Sequence, residues 1–259
     1  MLNQKPLTTE QIAAMKEAGK LCGQTLNVLK EYIKPGITTL EINNIGEEFI
    51  RTHKGIPTFK GYNNFPAALC ISVDECVVHG IPNNKPLQEG QIVSIDCGVT
   101  LNGWIGDSAY TYPVGEISED KKRLIKITEE ALYLGIKEAK NNAKVYDIAN
   151  VIQQYCEVAG YSLTRELTGH GVGRKLHQPP SIPNFVPPLL KRKSLPNVKL
   201  FNGLAIAIEP MVHLGKKEVY IDGTDKWSVI TRDRSPAAHF EHTIIINDDE
   251  PIITTLMEN

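Results

Sequence analysis

The chain has 259 residues, 41% of them hydrophobic and 22% charged, with a formal net charge of -2. That length supports one large domain or two small ones sharing a core, and the near-neutral balance supplies no basic field for holding nucleic acid or an anionic membrane. The apolar runs are strand-sized rather than membrane-sized, and the opening Met-Leu-Asn-Gln-Lys-Pro lacks the apolar core and cleavage site of a secretory signal, which points to a cytoplasmic location.

In chain order, the spacing predicts a helix from Thr8, where Thr8 and Gln11 form a capping box and Ile12, Met15, Gly19, Cys22, Leu26 and Leu29 make one stripe. Pro35-Gly36 ends it. A second helix is expected from Thr38 or Thr39, with Glu41 in its first turn and Leu40, Ile42, Ile45 and Phe49 along it. Strands follow over 92–100 and 107–112, both β-rich runs bounded by turn residues. Ser118 then caps a third helix carrying Leu124, Ile127, Ala131 and Leu134, and a fourth carries Val145, Ile148, Val151, Ile152 and Tyr155.

The two helix pairs align without gaps: Lys34 falls on Lys140, Glu41 on Asp147, Asn44 on Asn150 and Phe49 on Tyr155. The pattern reads as a duplication, with halves of about 8–115 and 116–250 inside a single domain spanning 1–259. Residues 179–202, rich in proline, read as a long surface loop. That loop carries Lys191-Arg192-Lys193, the dense basic run through which any ribosome contact would have to pass. Two further strands are expected over 204–209 and 240–246. The five cysteines, Cys22, Cys70, Cys76, Cys97 and Cys156, are odd in number and irregular in spacing. Reduced, buried thiols are expected, rather than disulfides or a cysteine-bound zinc.

Side chains two apart on a strand share a face. Asp96 therefore shares its face with Ser94 and Gly98, opposite Val93, Ile95, Cys97 and Val99. Glu209 shares its face with Ala205 and Ala207, opposite Leu204, Ile206 and Ile208. Glu241 interrupts a third apolar strand. Taken singly, each acid is explained well enough as an edge-strand or salt-bridged carboxylate. Together they repel one another unless cations neutralise them. His170 sits among glycines in Thr-Gly-His-Gly-Val-Gly, where the backbone can approach closely, although turn glycines alone would account for that local pattern.

Six blocks in order, Val-His79-Gly-Ile-Pro, Ser-Ile-Asp96-Cys-Gly, Gly-Trp-Ile-Gly-Asp107-Ser, Thr-Gly-His170-Gly-Val-Gly-Arg, Ile-Glu209-Pro-Met and Phe-Glu241-His-Thr, resemble type I methionine aminopeptidases over most of the chain. The resemblance implies an α+β pita-bread fold, two pseudo-symmetric αβ halves around a curved antiparallel sheet. It implies two divalent metal ions (Co²⁺, Mn²⁺, Fe²⁺ or Zn²⁺) held by Asp96, Asp107, His170, Glu209 and Glu241. Asp107 and Glu241 would bridge the ions, and Glu209 would also carry the proton of the attacking water. His79 and His177 would contact the scissile amide and the oxyanion. Tyr62, Phe65, Cys70 and Trp227 would line the methionine pocket. The implied substrate is the N-terminus of a nascent polypeptide with a small second residue, and a monomer is expected.

Four features depart from the family pattern. Leu176 replaces a common aromatic residue, Gln178-Pro179 an acidic stretch, and His239 a familiar glutamine, while the loop up to Asn202 is longer than usual. Met211 and His239 are expected as walls against the second residue of the substrate. Two other readings remain on the sequence: a proline-specific peptidase of the same fold, and a non-enzymatic binding protein built on it. The first usually adds a separate N-terminal domain; the second generally loses metal ligands, and all five are intact here.

Overall fold

In a computed structural model, which describes residues 4–257, the helices start where their capping residues stand. The first half of the chain forms α1 (Thr9–Lys30), α2 (Thr39–Thr52), β1 (Ile56–Pro57), β2 (Leu69–Val73), β3 (Cys76–Val78), β4 (Ile92–Leu101) and β5 (Trp104–Pro113). The second forms α3 (Glu119–Glu138), α4 (Val145–Val158), β6 (Ser162–Leu163), β7 (Gly169–Gly171), β8 (Gln178–Ile182), β9 (Ala205–Ile208), β10 (Met211–His213), β11 (Val219–Ile221), β12 (Val229–Thr231), β13 (Ala237–His239), β14 (Glu241–Ile245) and β15 (Ile252–Ile253).

Both ends of the Thr8–Gln11 capping box close: Gln11 N–H donates to Thr8 Oγ1 at 3.3 Å, and Thr8 N–H donates to Gln11 Oε1 at 3.1 Å. Thr38 and Glu41 do the same for α2, at 3.1 and 2.8 Å. In α4 the Asp147 carboxylate accepts from the Lys144 N–H at 2.8 Å. The first helix stops at Lys30, ahead of Pro35, because Glu31 and Tyr32 N–H groups turn back onto the Val28 and Leu29 carbonyls.

A nine-stranded antiparallel sheet runs β1-β4-β5-β14-β9-β7-β8, with β2 on β4 and β15 on β14. Two three-stranded sheets, β13-β10-β6 and β11-β12-β3, flank it. Helix α1 lies on β4 and β5, and α3 packs on α4. The α1 crossing is tight: a Cβ on Gly106 would lie 2.5 Å from the Gly19 Cα, so only glycine permits that approach. One core cluster runs from Leu26, Leu29 and Ile42 through Ile95 and Cys97 to Leu124, Ile148 and Ile206. All five cysteines are free thiols, and four of them are buried.

The two halves repeat each other in detail. Gly36 N–H donates to the Leu87 carbonyl and Leu87 N–H to that of Ile37; likewise Asn142 N–H donates to Leu200 and Leu200 N–H to Ala143. Gly36 and Asn142 both take positive φ, 96° and 71°. Isolated bridges join Thr38 to Pro86 and Lys144 to Lys199. The sheet register repeats as well. Gly98 faces Asp107 across β4 and β5, and Met211 faces His239 across β10 and β13.

Two stretches differ from expectation. Residues 178–182 are not loop but strand β8, paired to β7. The remainder of the proline-rich stretch is pinned to α4: Val145 N–H donates to the Val198 carbonyl at 2.9 Å and the Tyr146 hydroxyl to that of Leu195 at 2.5 Å. The strand expected over 204–209 ends at Ile208, because Pro210 has no N–H to continue a ladder. Glu209 is thereby released from the pleat, and its carbonyl instead accepts from Asn184 Nδ2 at 2.9 Å. Among the described residues no helix is long and apolar enough to cross a membrane.

Candidate active site

Asp96 and Asp107 come from the paired strands β4 and β5, with Asp96 opposite Ala109 and Asp107 opposite Gly98. Glu241 opens β14, directly across from Ala109. Its neighbour His242 faces Ile208, so Glu209 at the end of β9 lies level with Glu241. His170 is the middle residue of β7, opposite Ala207. The glycines around it serve close strand packing: a Cβ on Gly169 would meet the Ala207 carbonyl oxygen at 2.4 Å, and one on Gly171 that of Pro179 at 2.1 Å. His170 Nδ1 bonds its neighbour's carbonyl, Gly171 O, at 3.0 Å, which leaves the Nε2 lone pair facing the acids and free to bind a cation. Nε2 lies 3.7 Å from Asp107 Oδ2 and 3.6 Å from Glu209 Oε1.

These groups sit deep. Asp107 is 3% exposed and Glu241 2%. Burial, together with the charge of the neighbouring acids, pushes the Asp96, Glu209 and Glu241 carboxyls well above the usual carboxylate range. Burial pushes Asp107 up to about 7. Burial also holds the His170 imidazole down at about 3, with His177 adding to the effect. Four carboxylates crowded in this way cannot all ionise without a countercharge.

The donor set fits divalent ions. Asp107, His170 and Glu241 offer ligand atoms within 4.8 Å of one another, and so do Glu209, His239 and Glu241. Asp96 Oδ1, Asp107 Oδ1 and Glu241 Oε1 are buried without any hydrogen-bond partner. Orphaned buried oxygens of this kind are expensive, and cations relieve them. Oxygen-rich donors with an imidazole suit first-row divalent metals.

The nest opens into a cavity of about 380 Å³ lined by Tyr62, Phe65, Cys70, His79, His177 and Trp227, together with Asp96, Asp107, His170, Glu209 and Glu241. Every position named from the resemblance therefore meets in one place. Phe65 and Trp227 pack edge to face, with ring centroids 5.1 Å apart. His79 takes φ 60°, a left-handed conformation that side chains seldom adopt. Gly80 beside it packs against β2, where a Cβ would lie 2.2 Å from the Ile71 carbonyl oxygen, and the His79 imidazole stands edge-on to Trp227 with ring centroids 6.2 Å apart. Burial, with His177 next in effect, lowers His79 to about 4. The Tyr62 hydroxyl lies 2.7 Å from His177 Nδ1, and the His177 ring packs at 4.3 Å on that of His170.

Sequence reasoning missed Phe59, Leu167 and Thr168 as walls. A signal existed for Phe59: Gly98, beside the Asp96 motif, leaves room for its ring, which a Cβ would meet at 2.6 Å. Two expected walls fail. Met211 is 0% exposed and packs with Val77, Val78, Val229 and Ala237. His239 is 1% exposed and lies against Glu209 and Glu241 rather than facing the cavity. Met211 is packed into a separate apolar cluster, whereas His239 turns its Nε2 onto the carboxylates of Glu209 and Glu241. Leu176 does line the cavity.

This fold and this carboxylate–imidazole nest define a metallopeptidase. The model of metallopeptidase family M24 matches residues 13–248, and the chain belongs to that family. Within it, the chain is 48% identical over 249 residues to a methionine aminopeptidase of Clostridium perfringens, covering 96% of this chain and 97% of that one. The crystal structure of the methionine aminopeptidase from Rickettsia prowazekii superposes with a TM-score of 0.93 at 40% identity, over 97% of this chain and 99% of the other. A prolidase from Pyrococcus furiosus shares the fold at 20% identity, and the chain spans 65% of its length.

Proposed function

We propose that the chain is a methionyl aminopeptidase that removes the initiator methionine from nascent polypeptides when the second residue is small. The observation that carries this reading is the opening of the donor nest into an apolar cavity walled by Phe59, Phe65, Cys70, Leu176 and Trp227. An unbranched thioether packs well on aromatic rings and a thiol.

Asp96, Asp107, His170, Glu209 and Glu241 would hold two divalent ions, with Asp107 and Glu241 shared. When bound, such a pair supplies a water of lowered pKa and a Lewis acid for the scissile carbonyl. Glu209 takes the proton of the attacking water and passes it to the leaving amine. His79, held neutral by burial, donates to the scissile amide, and His177, oriented by Tyr62, donates to the developing oxyanion. The aromatic walls exclude water from the side-chain pocket and fix the N-terminal residue over the acids. The exposed run Lys191, Arg192 and Lys193 is the surface on which ribosome contact would depend.

The test is to chelate the purified chain, return Mn²⁺, Co²⁺, Fe²⁺ or Zn²⁺ in graded amounts, and assay Met-Ala, Leu-Ala and Xaa-Pro peptides. Metal-dependent release of methionine alone is expected. Cleavage of the Xaa-Pro peptides in preference would replace this reading with a proline-specific one.

A further inference from the structure

One nitrogen donor beyond the five expected ligands enters the nest. His239 is 1% exposed, and its Nε2 has no hydrogen-bond partner. That atom lies 3.7 Å from Glu209 Oε2 and 3.9 Å from Glu241 Oε2. Both separations are too long for hydrogen bonds. They do suit a shared ion: two donors each about 2.0–2.2 Å from one metal lie about 3–4 Å apart at open coordination angles. The three groups together place their ligand atoms within 4.8 Å of one another.

The pseudo-symmetry of the fold makes the same point independently. His239 stands opposite Met211 where, in the other half, Asp107 stands opposite Gly98. The two positions are even held alike. The Thr243 hydroxyl accepts from the Asp107 N–H at 3.0 Å and donates to its carbonyl at 2.8 Å. The Thr111 hydroxyl accepts from the His239 N–H at 2.9 Å and donates to its carbonyl at 2.8 Å. Each half therefore presents a donor from the same clamped backbone position toward the centre, a carboxylate in one and an imidazole in the other.

We infer that His239 Nε2 is a sixth protein ligand, binding the ion shared by Glu209 and Glu241 and biasing that site toward Zn²⁺ over Mn²⁺. The bias follows from donor type, since imidazole suits zinc whereas manganese prefers oxygen. The inference rests on the two-ion reading given above.

The test combines calorimetric titration of the chelated full chain with Zn²⁺ and with Mn²⁺, in the parent and in H239Q, with X-ray absorption of the zinc-loaded parent. Two imidazoles per two zinc ions are expected in the parent, from His170 and His239. In H239Q one zinc should bind as before and the other about tenfold or more weakly, by the scale of losses at metal-supporting residues. Manganese binding should weaken less. Added imidazole should restore the weakened zinc site in H239A, which a packing defect would not permit. One imidazole per two zinc ions in the parent overturns the inference even if the variants misfold. Unchanged zinc affinities in H239Q also overturn it, and so does loss of both ions together. These results leave the proposed function standing, whereas a parent that binds no metal or releases no methionine overturns that function itself.

Discussion

Thr243 holds the backbone of Asp107 at both ends, accepting from its N–H at 3.0 Å and donating to its carbonyl at 2.8 Å. Strands β5 and β14 pair at Glu241–Ala109 and His242–Ser108. Past that point the hydroxyl replaces the ladder and keeps Asp107 aligned with Glu241. T243V preserves shape and removes both bonds, leaving a buried N–H and a buried carbonyl unpaired at about 1–3 kcal/mol each. Denaturant unfolding of T243V should show a loss on that scale, and T243S should recover most of it. Equal midpoints for T243V and the parent would show that neither bond contributes.

Asp107 and Glu241 are the acids assigned to both ions. D107N and E241Q keep volume and remove charge, so each should lose metal and turnover together. Elemental analysis beside kinetics on Met-Ala-peptides reads both. Activity within tenfold of the parent in a metal-saturated assay would falsify the shared-ligand assignment.

His79 and His177 should behave differently from the ligands. H79A and H177A are expected to retain metal and lose about 10²- to 10³-fold in kcat, the scale of one transition-state hydrogen bond. His79 pays backbone strain at φ 60°. H79G should therefore unfold no earlier than the parent, with a gain of up to about 1 kcal/mol from the relieved left-handed backbone, while remaining nearly inactive. Tyr62 acts through His177, so Y62F should lower kcat with little change in KM. Loss of metal stoichiometry in H79A or H177A would make these histidines ligands instead.

The helices were legible because their stop and start signals are local. Thr8 with Gln11 and Thr38 with Glu41 form in the structure the capping boxes their spacing announces. The long strands were legible as β-rich runs bounded by turn residues, and Asp96 stands out within β4 as less buried than Ile95 and Cys97 on either side. The short strands β6, β7 and β10 to β13 carry too few residues for a period, and β8 was hidden by its two prolines, whereas β9 was read from its apolar run. The site was legible as a set of residue types, yet not in depth. His239 stands two residues before Glu241, which fixes its nearness to the acids and not its side of them. Only the folded structure brings its Nε2 against both Glu209 and Glu241. Phe59 and Leu167 reach the cavity from segments with no motif of their own.

His213 gives a pH dependence away from the metal nest. It is fully buried, with Nδ1 on the Lys216 carbonyl at 2.9 Å and Nε2 on the Thr164 hydroxyl at 2.7 Å, so both nitrogens are satisfied in the neutral form. Burial lowers its pKa; the Lys216 carbonyl and the acids Asp233, Glu166 and Glu218 oppose that shift without reversing it. A histidine with a depressed folded pKa binds fewer protons folded than unfolded. Its contribution is therefore intact above the unfolded value near about 6.5 and is lost as pH falls below it. Unfolding midpoints of the parent should drop more between pH 7.5 and pH 5 than those of H213Q. Parallel profiles would show that His213 titrates alike in both states.

On the proposed function, the cavity would also set which N-terminal side chain is accepted. Phe59, Phe65, Cys70, Leu176 and Trp227 enclose an apolar space that ends at the carboxylates. On the proposed function, a linear side chain would extend along this space toward the Phe65–Trp227 pair, whose rings pack edge to face at 5.1 Å. A β-branched side chain would place its bulk near the backbone and leave the far end unfilled. Each missing methylene in such a pocket costs about 10- to 200-fold in kcat/KM. Norleucine-Ala-peptides should therefore be cleaved at a rate near that of methionine, and valine-Ala-peptides far more slowly. Leu176 offers a way to alter the depth, because it forms part of the cavity wall. L176F should shorten the space and reduce kcat/KM for methionine more than for alanine at the N-terminus. Kinetics of parent and L176F on a panel of Xaa-Ala-peptides decides the matter: an unchanged ranking would mean that Leu176 does not touch the bound side chain.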